Sequence, residues 1–142
     1  MRFEIPEESV EKIIGLAEKE IPKPIISLEE LEKGCEGDED LEELLGEMLS
    51  RCLRYTESVA RYKEVAMEIG EADTIDFQSV FRDVDELRSR THDVTVDSIN
   101  IISRELTRKG KNSAWINQLA GNRAAYGRFA ITLTFSRLID KR

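Results

Sequence analysis

The strongest pattern in the chain lies between residues 41 and 69. Leu45, Met48, Cys52, Tyr55, Val59, Tyr62, Ala66 and Ile69 recur at alternating spacings of 3 and 4. Residues so spaced share one face of a helix, and more than three repeats make a coiled-coil-like seam. Leu41, Leu44 and Leu49 widen the seam at its start. Asp38 or Asp40 is placed to cap this helix and Gly70 to end it. At 1.5 Å per residue it is about 40 Å long.

After the turn "GEADT", Thr74 or Asp76 caps a second long helix that runs to about Lys109. Its apolar stripe begins as Phe77, Val80, Phe81, Val84 and Leu87. It continues as Thr91, Val94, Ser98 and Ile101, beside a parallel row of Thr95, Ile99, Ile102 and Leu106.

The flanks are weaker. Pro6 opens a first helix over 7–20, with Val10, Ile13, Ile14 and Ala17 on its apolar face. "IPKPII" breaks it. Ser27 with Glu30 has capping-box form and starts a short helix that stops at Gly34. Residues 1–37 thus read as an N-terminal helical arm. Downstream, Gly110 and Asn112 end the second long helix, and Ser113 caps a short helix in "SAWINQLA". Asn122, after Gly121, caps a last helix in "RAAYGRFAITLTFSRLIDK". There the patterns conflict. Phe129, Ile131, Leu133 and Phe135 alternate as a strand would, while Ala125, Phe129, Thr132, Leu133, Ser136 and Ile139 form a helical face. A lone strand has nothing to pair with, so the helix is expected.

The expected fold is all-α. It is a single-domain helical bundle over 1–142, with two long antiparallel helices, a C-terminal helix and the N-terminal arm. Composition agrees, since 6% aromatics, 8 Gly and 3 Pro argue against a loop-rich all-β chain. Abundant Glu and Arg fit a heat-adapted source. Cys35 and Cys52 stand outside any metal-ligand or redox spacing, the N-terminus lacks an apolar signal core, and "FAITLTFS" is far too short for a membrane span. A cytoplasmic protein without membrane partners is expected.

The net charge of −8 hides a gradient. Residues 1–50 carry 16 acidic and 5 basic groups, and residues 101–142 carry 2 and 9. Such polarity is expected to be compensated within the fold or between subunits.

Candidate chemistry is sparse. His92 is the single histidine. Arg88 shares its face, but the adjacent Asp93 points about 100° away and cannot easily orient the ring. A histidine at the edge of the apolar stripe, bonded to a neighbouring helix, is the expectation, and no catalytic residue is assigned. Cys52 is a nucleophile only if the fold sets it beside His92. A di-metal carboxylate bundle needs two Glu-x-x-His motifs, which the chain lacks. Glu64, Glu68 and Glu71 on one long helix face Asp83 and Glu86 on the next. This resembles the acidic arrangement of all-α nucleotide pyrophosphohydrolases, and the resemblance implies an Mg-dependent nucleotide hydrolase. Among 29 acidic residues a solvated acidic face is the plainer expectation, and no metal or cofactor is assigned. "GKNS" is too short for a phosphate loop.

The segment 104–128 is the leading binding candidate. Arg104, Arg108, Lys109, Lys111, Arg123 and Arg128 supply phosphate affinity, and Trp115 and Tyr126 are aromatics on which bases stack if exposed. The alternative is that Trp115 and Tyr126 anchor the core while the cations pair with the acidic half. The leading function is a non-enzymatic bundle that acts through protein association, as a homo-oligomer. Nucleic-acid or phosphate binding through 104–128 comes second, and the hydrolase third.

Overall fold

A computed structural model of the chain describes residues 25–69 and 75–140. The helix expected over 7–20 and the cap at Thr74 lie outside the described residues. Among the described residues there are four α-helices, α1 (Leu28–Cys35), α2 (Glu39–Ile69), α3 (Ile75–Arg108) and α4 (Arg123–Asp140), with a 3-10 helix, Ala114–Gln118, before α4. No strand occurs among the described residues. The two long helices end within one residue of the sequence expectation.

The helix ends follow local chemistry. The Ser27 hydroxyl accepts from the Glu30 amide at 3.1 Å and starts α1. Asp38 Oδ1 accepts from the Leu41 amide at 3.2 Å and starts α2. Gly110 (φ +70°) stops α3, with the Gly110 amide on the Thr107 carbonyl and the Lys111 amide on the Leu106 carbonyl. That pair of bonds closes the last turn and requires a left-handed residue, which glycine adopts without strain. Asn122 Oδ1 caps α4 through the Ala125 amide at 3.1 Å.

The segment after α3 departs from expectation in detail. It is a 3-10 turn, and the Ser113 side chain does not cap it. That hydroxyl bonds Thr107 Oγ1 at 2.6 Å instead. Asn112 Oδ1 takes the Ala114 amide at 3.3 Å. Trp115 sits under this turn, 4% exposed, stacked on Phe129 with centroids 5.5 Å apart.

α2 and α3 pack antiparallel along their length. Lys109 meets Asp38, Arg51 meets Ser98, Ser58 meets Thr91 and Tyr62 meets Phe81. α4 packs mainly against α2, with Thr134 Oγ1 3.2 Å from Thr56 Oγ1. One core joins α1, α2, α3, α4 and Trp115, centred on Leu31, Leu41, Met48, Ile99, Ile102, Leu106 and Leu133.

The conflict at 129–135 resolves as helix with both apolar patterns in use. Phe129, Ala130, Thr132, Leu133, Thr134 and Phe135 are all buried, so α4 is covered on most sides. Its buried threonines are satisfied locally: Thr132 donates to the Phe129 carbonyl and Thr134 to the Ala130 carbonyl, both at 2.9 Å. Thr56, Ser58 and Thr95 likewise donate to carbonyls of their own helices. No buried side-chain nitrogen or oxygen among the described residues lacks a partner.

The apolar seams are covered unevenly. On α2 the core face holds Leu45, Met48, Cys52 and Tyr55, but Val59 and Tyr62 are half-buried and Ala66 is exposed. On α3 the row Thr95, Ile99, Ile102 and Leu106 is the core face. Of the first stripe, Ser98 is buried and Phe81, Val84 and Thr91 are half-buried, while Val80, Leu87, Val94 and Ile101 ride at the rim.

Candidate interaction surface

The surface begins with that rim. Val80, Leu87, Val94 and Ile101 are 41, 43, 42 and 38% exposed. They stand seven residues apart, so they form one line of apolar side chains down α3. From Val80 to Ile101 the line is about 32 Å long. Thr91 and Ser98 border it on the side of α2, where their hydroxyls are held by Ser58 and Arg51. On the other side come Asp83, Arg90, Asp97 and Arg104, all exposed and without ion pairs among the described residues.

The residues of the segment 104–128 separate into groups. Arg108 pairs with Glu105 on its own helix. Lys109 is half-buried among acids, with Nζ 2.6 Å from Asp38, 3.8 Å from Asp40 and 3.7 Å from Glu105. The lysine bond holds the Asp38 carboxyl below the usual carboxylate range, and Asp38 in turn raises Lys109. These contacts join the acidic start of α2 to the basic end of α3, so part of the charge gradient is compensated within the fold.

Trp115 and Tyr126 are buried and offer no face to a base. Trp115 Nε1 donates to the Asn112 carbonyl at 3.3 Å, and Tyr126 Oη donates to Asn100 Oδ1 at 2.7 Å. Arg104 and Lys111 are exposed. Arg123 lies against His92 and Asp93, fifteen residues back along α3 from Arg108 and so about 22 Å away. Arg128 lines a cleft with Arg88 and Arg123.

That cleft, about 490 Å³, lies between α3 and α4 and includes Tyr55, His92 and Gly127. His92 is fully committed inside it. Nε2 donates to the Arg123 carbonyl at 2.8 Å, and Nδ1 accepts from the Arg123 guanidinium at 3.2 Å. Since a guanidinium only donates, Nδ1 carries no proton in this arrangement. Tyr55 packs edge-on to the ring with centroids 5.3 Å apart. Arg123 also bonds Asp93 and keeps that carboxyl below its ordinary range. Histidine therefore ties α4 to α3. Arg88 lies over the Tyr62 ring at 4.8 Å and bonds Asp85.

The remaining candidate chemistry is quiet. Burial pushes the Cys52 thiol up to about 12 and the Cys35 thiol up to about 11. Neither is a nucleophile at neutral pH. Glu64 bonds Arg61, and Asp83 and Glu86 face solvent. Glu71 and the Glu68 side chain lie outside the described residues. Among the described residues no three His, Cys, Asp or Glu side chains gather as a metal site. No helix among them is long and apolar enough to cross a membrane.

The fold defines a class, the all-α helical bundle. Compared with known proteins, the chain matches no family model, no curated protein and no solved structure. Sequence reasoning named all four residues of the rim line as members of one apolar stripe, beside a parallel row, without saying which of the two is buried. Their seven-residue spacing, set against the 3.6-residue turn of a straight helix, was the available signal.

Proposed function

We propose that the protein is a non-enzymatic helical-bundle module that acts by association through α3, forming homo-oligomers in a cytoplasmic setting. The observation that carries this reading is the line of Val80, Leu87, Val94 and Ile101. Four apolar side chains, each about 40% exposed, continue along one helix beside a band of charge. Single exposed apolar residues need no explanation, but a continuous apolar line rimmed by polar groups marks an interaction surface. Two buried, unpaired cysteines fit a reducing compartment. Light scattering across a wide concentration range tests the reading. Concentration-dependent self-association that is lost in Leu87→Lys, with helical content unchanged, supports it. A strict monomer at every concentration refutes it.

A second reading, anion or nucleic-acid binding, draws on the cleft where Arg88, Arg123 and Arg128 meet. Arg88 and Arg123 already hold Asp85 and Asp93, so Arg128 is the uncommitted cation there. Fluorescence anisotropy of labelled short oligonucleotides, titrated with the protein at low salt, tests it. Binding that Arg128→Ala abolishes favours this reading, and no binding removes it.

A further inference from the structure

We infer that the occupant of the α3 line is α3 of a second copy, packed antiparallel about a two-fold axis beside Val94. This rests on the association reading and specifies its geometry.

The argument comes from charge. Asp83, Arg90, Asp97 and Arg104 follow Val80, Leu87, Val94 and Ile101 by three residues each. They therefore form a second line on the same side of the apolar one, with the same seven-residue spacing. All four are exposed and hold no ion pair among the described residues. Charged residues elsewhere on α3 behave differently. Asp85, Arg88, Asp93 and Glu105 are each engaged within the chain.

Along α3 the free line reads minus, plus, minus, plus. Read backwards it is plus, minus, plus, minus. Two copies laid antiparallel thus set opposite charges against each other at every position: Asp83 against Arg104 of the second copy, and Arg90 against Asp97. A parallel pair about a two-fold puts the two charge lines on opposite sides of the apolar seam, where they do not meet. Antiparallel helices bring such flanking positions of the same kind together, so the line is read in that arrangement.

Three members of the apolar line fit the same arrangement. The axis that pairs the charges passes midway between Arg90 and Asp97. The axis that sets Leu87 against Ile101 of the second copy passes at Val94, which then meets its own equivalent. The two differ by half a residue, about 0.75 Å along the helix. One two-fold satisfies the charges together with Leu87, Val94 and Ile101, as an isologous interface requires, and leaves Val80 opposite Arg108 of the second copy at the end of the contact.

The test uses the full chain and two single variants, Arg90→Asp and Asp97→Arg, with sedimentation as the readout. Each variant alone turns both central contacts into like-charge contacts, so each homodimer should dissociate at about tenfold higher concentration than the wild type. Mixed together, the two restore opposite charges at all four positions, and the mixed dimer should recover wild-type affinity. The single-variant effect should shrink as salt rises. Recovery on mixing also shows that both variants are folded. A dimerising wild type whose variants dimerise equally well, or whose mixture does not recover, overturns the antiparallel register while association stands. A monomeric wild type overturns both.

Discussion

Two residues place α4 against α2 more than any pattern shows. A Cβ built on Gly127 falls 2.8 Å from Tyr55 Oη and 3.4 Å from two ring carbons. Gly127→Ala gains about 1 kcal/mol of helix propensity and loses about 1 to 3 kcal/mol to overpacking. A net loss is expected because the ring is buried and braced by His92. Chemical denaturation of Gly127→Ala, with and without Tyr55→Phe, checks this; removing the hydroxyl should recover part of the loss. The cysteines give a second residue-scale expectation. With both thiols buried and pushed far above neutrality, labelling of the native protein by a thiol reagent at pH 7 should wait on unfolding. Rapid labelling of either would contradict the packing around it. Neither feature was legible in the sequence. A glycine inside an amphipathic run gives no hint of which ring it admits, and Cys52 looked like any other member of the seam.

At the scale of the element, α3 has two apolar rows with opposite fates. Ile102 is fully buried and Ile101 is 38% exposed. Ile102→Ala should cost about 2 to 5 kcal/mol in unfolding free energy. Ile101→Ala should leave monomer stability nearly unchanged and weaken self-association. Equal losses in both would mean that the rim line is part of the monomer core. The sequence displayed both rows, and the caps at Ser27, Asp38 and Asn122, because spacing and caps are local properties. It could not rank the rows. Which of two adjacent stripes is inside depends on where α2 and α4 lie, and that is a property of the assembled bundle. The same limit applied at 129–135, where a helix covered on most sides buries the residues of both patterns.

For the whole molecule, the charge gradient is partly closed by contacts that link distant segments. Asp38, Asp93 and Glu105 are held below the usual carboxylate range by Lys109, Arg123 and Arg108. Each therefore binds its proton less readily folded than unfolded. Their contribution is present above ordinary carboxylate values and is lost as pH falls through the depressed folded ones. Lys109 is the converse: raised by Asp38, it contributes fully below its ordinary value and loses that contribution as pH rises through the folded one. The melting temperature should be flat from about pH 6 to 9 and fall steadily toward about pH 3. Asp38→Ala should lower it by a few degrees at pH 7 and flatten the acid slope. An acid slope unchanged in that variant would remove Lys109–Asp38 as a stabilising link. Trp115 reports the same transition: its emission should be blue-shifted in the native state and move red on unfolding. Of the segment 104–128, the sequence identified the residues but not their allegiance. Trp115 and Tyr126 went inward, Lys109 to the acidic turn and Arg123 to His92, because each met a partner far away in the chain.

The hydroxyls lining the helix contacts have a consequence for how this interior can change over time. Thr56, Ser58, Thr95, Thr132 and Thr134 each return a hydrogen bond to a carbonyl of their own helix. Their polarity is settled before the helices meet, so replacing one with alanine or valine strands no donor on the facing helix. The walls between α2, α3 and α4 are therefore open to drift in sequence. Thr56 with Thr134, Ser58 with Thr91 and Thr95 with the Arg51 carbonyl also touch across helices, but a change is felt most where a ring or an ion pair makes the link, at His92 with Arg123 and at Lys109 with Asp38.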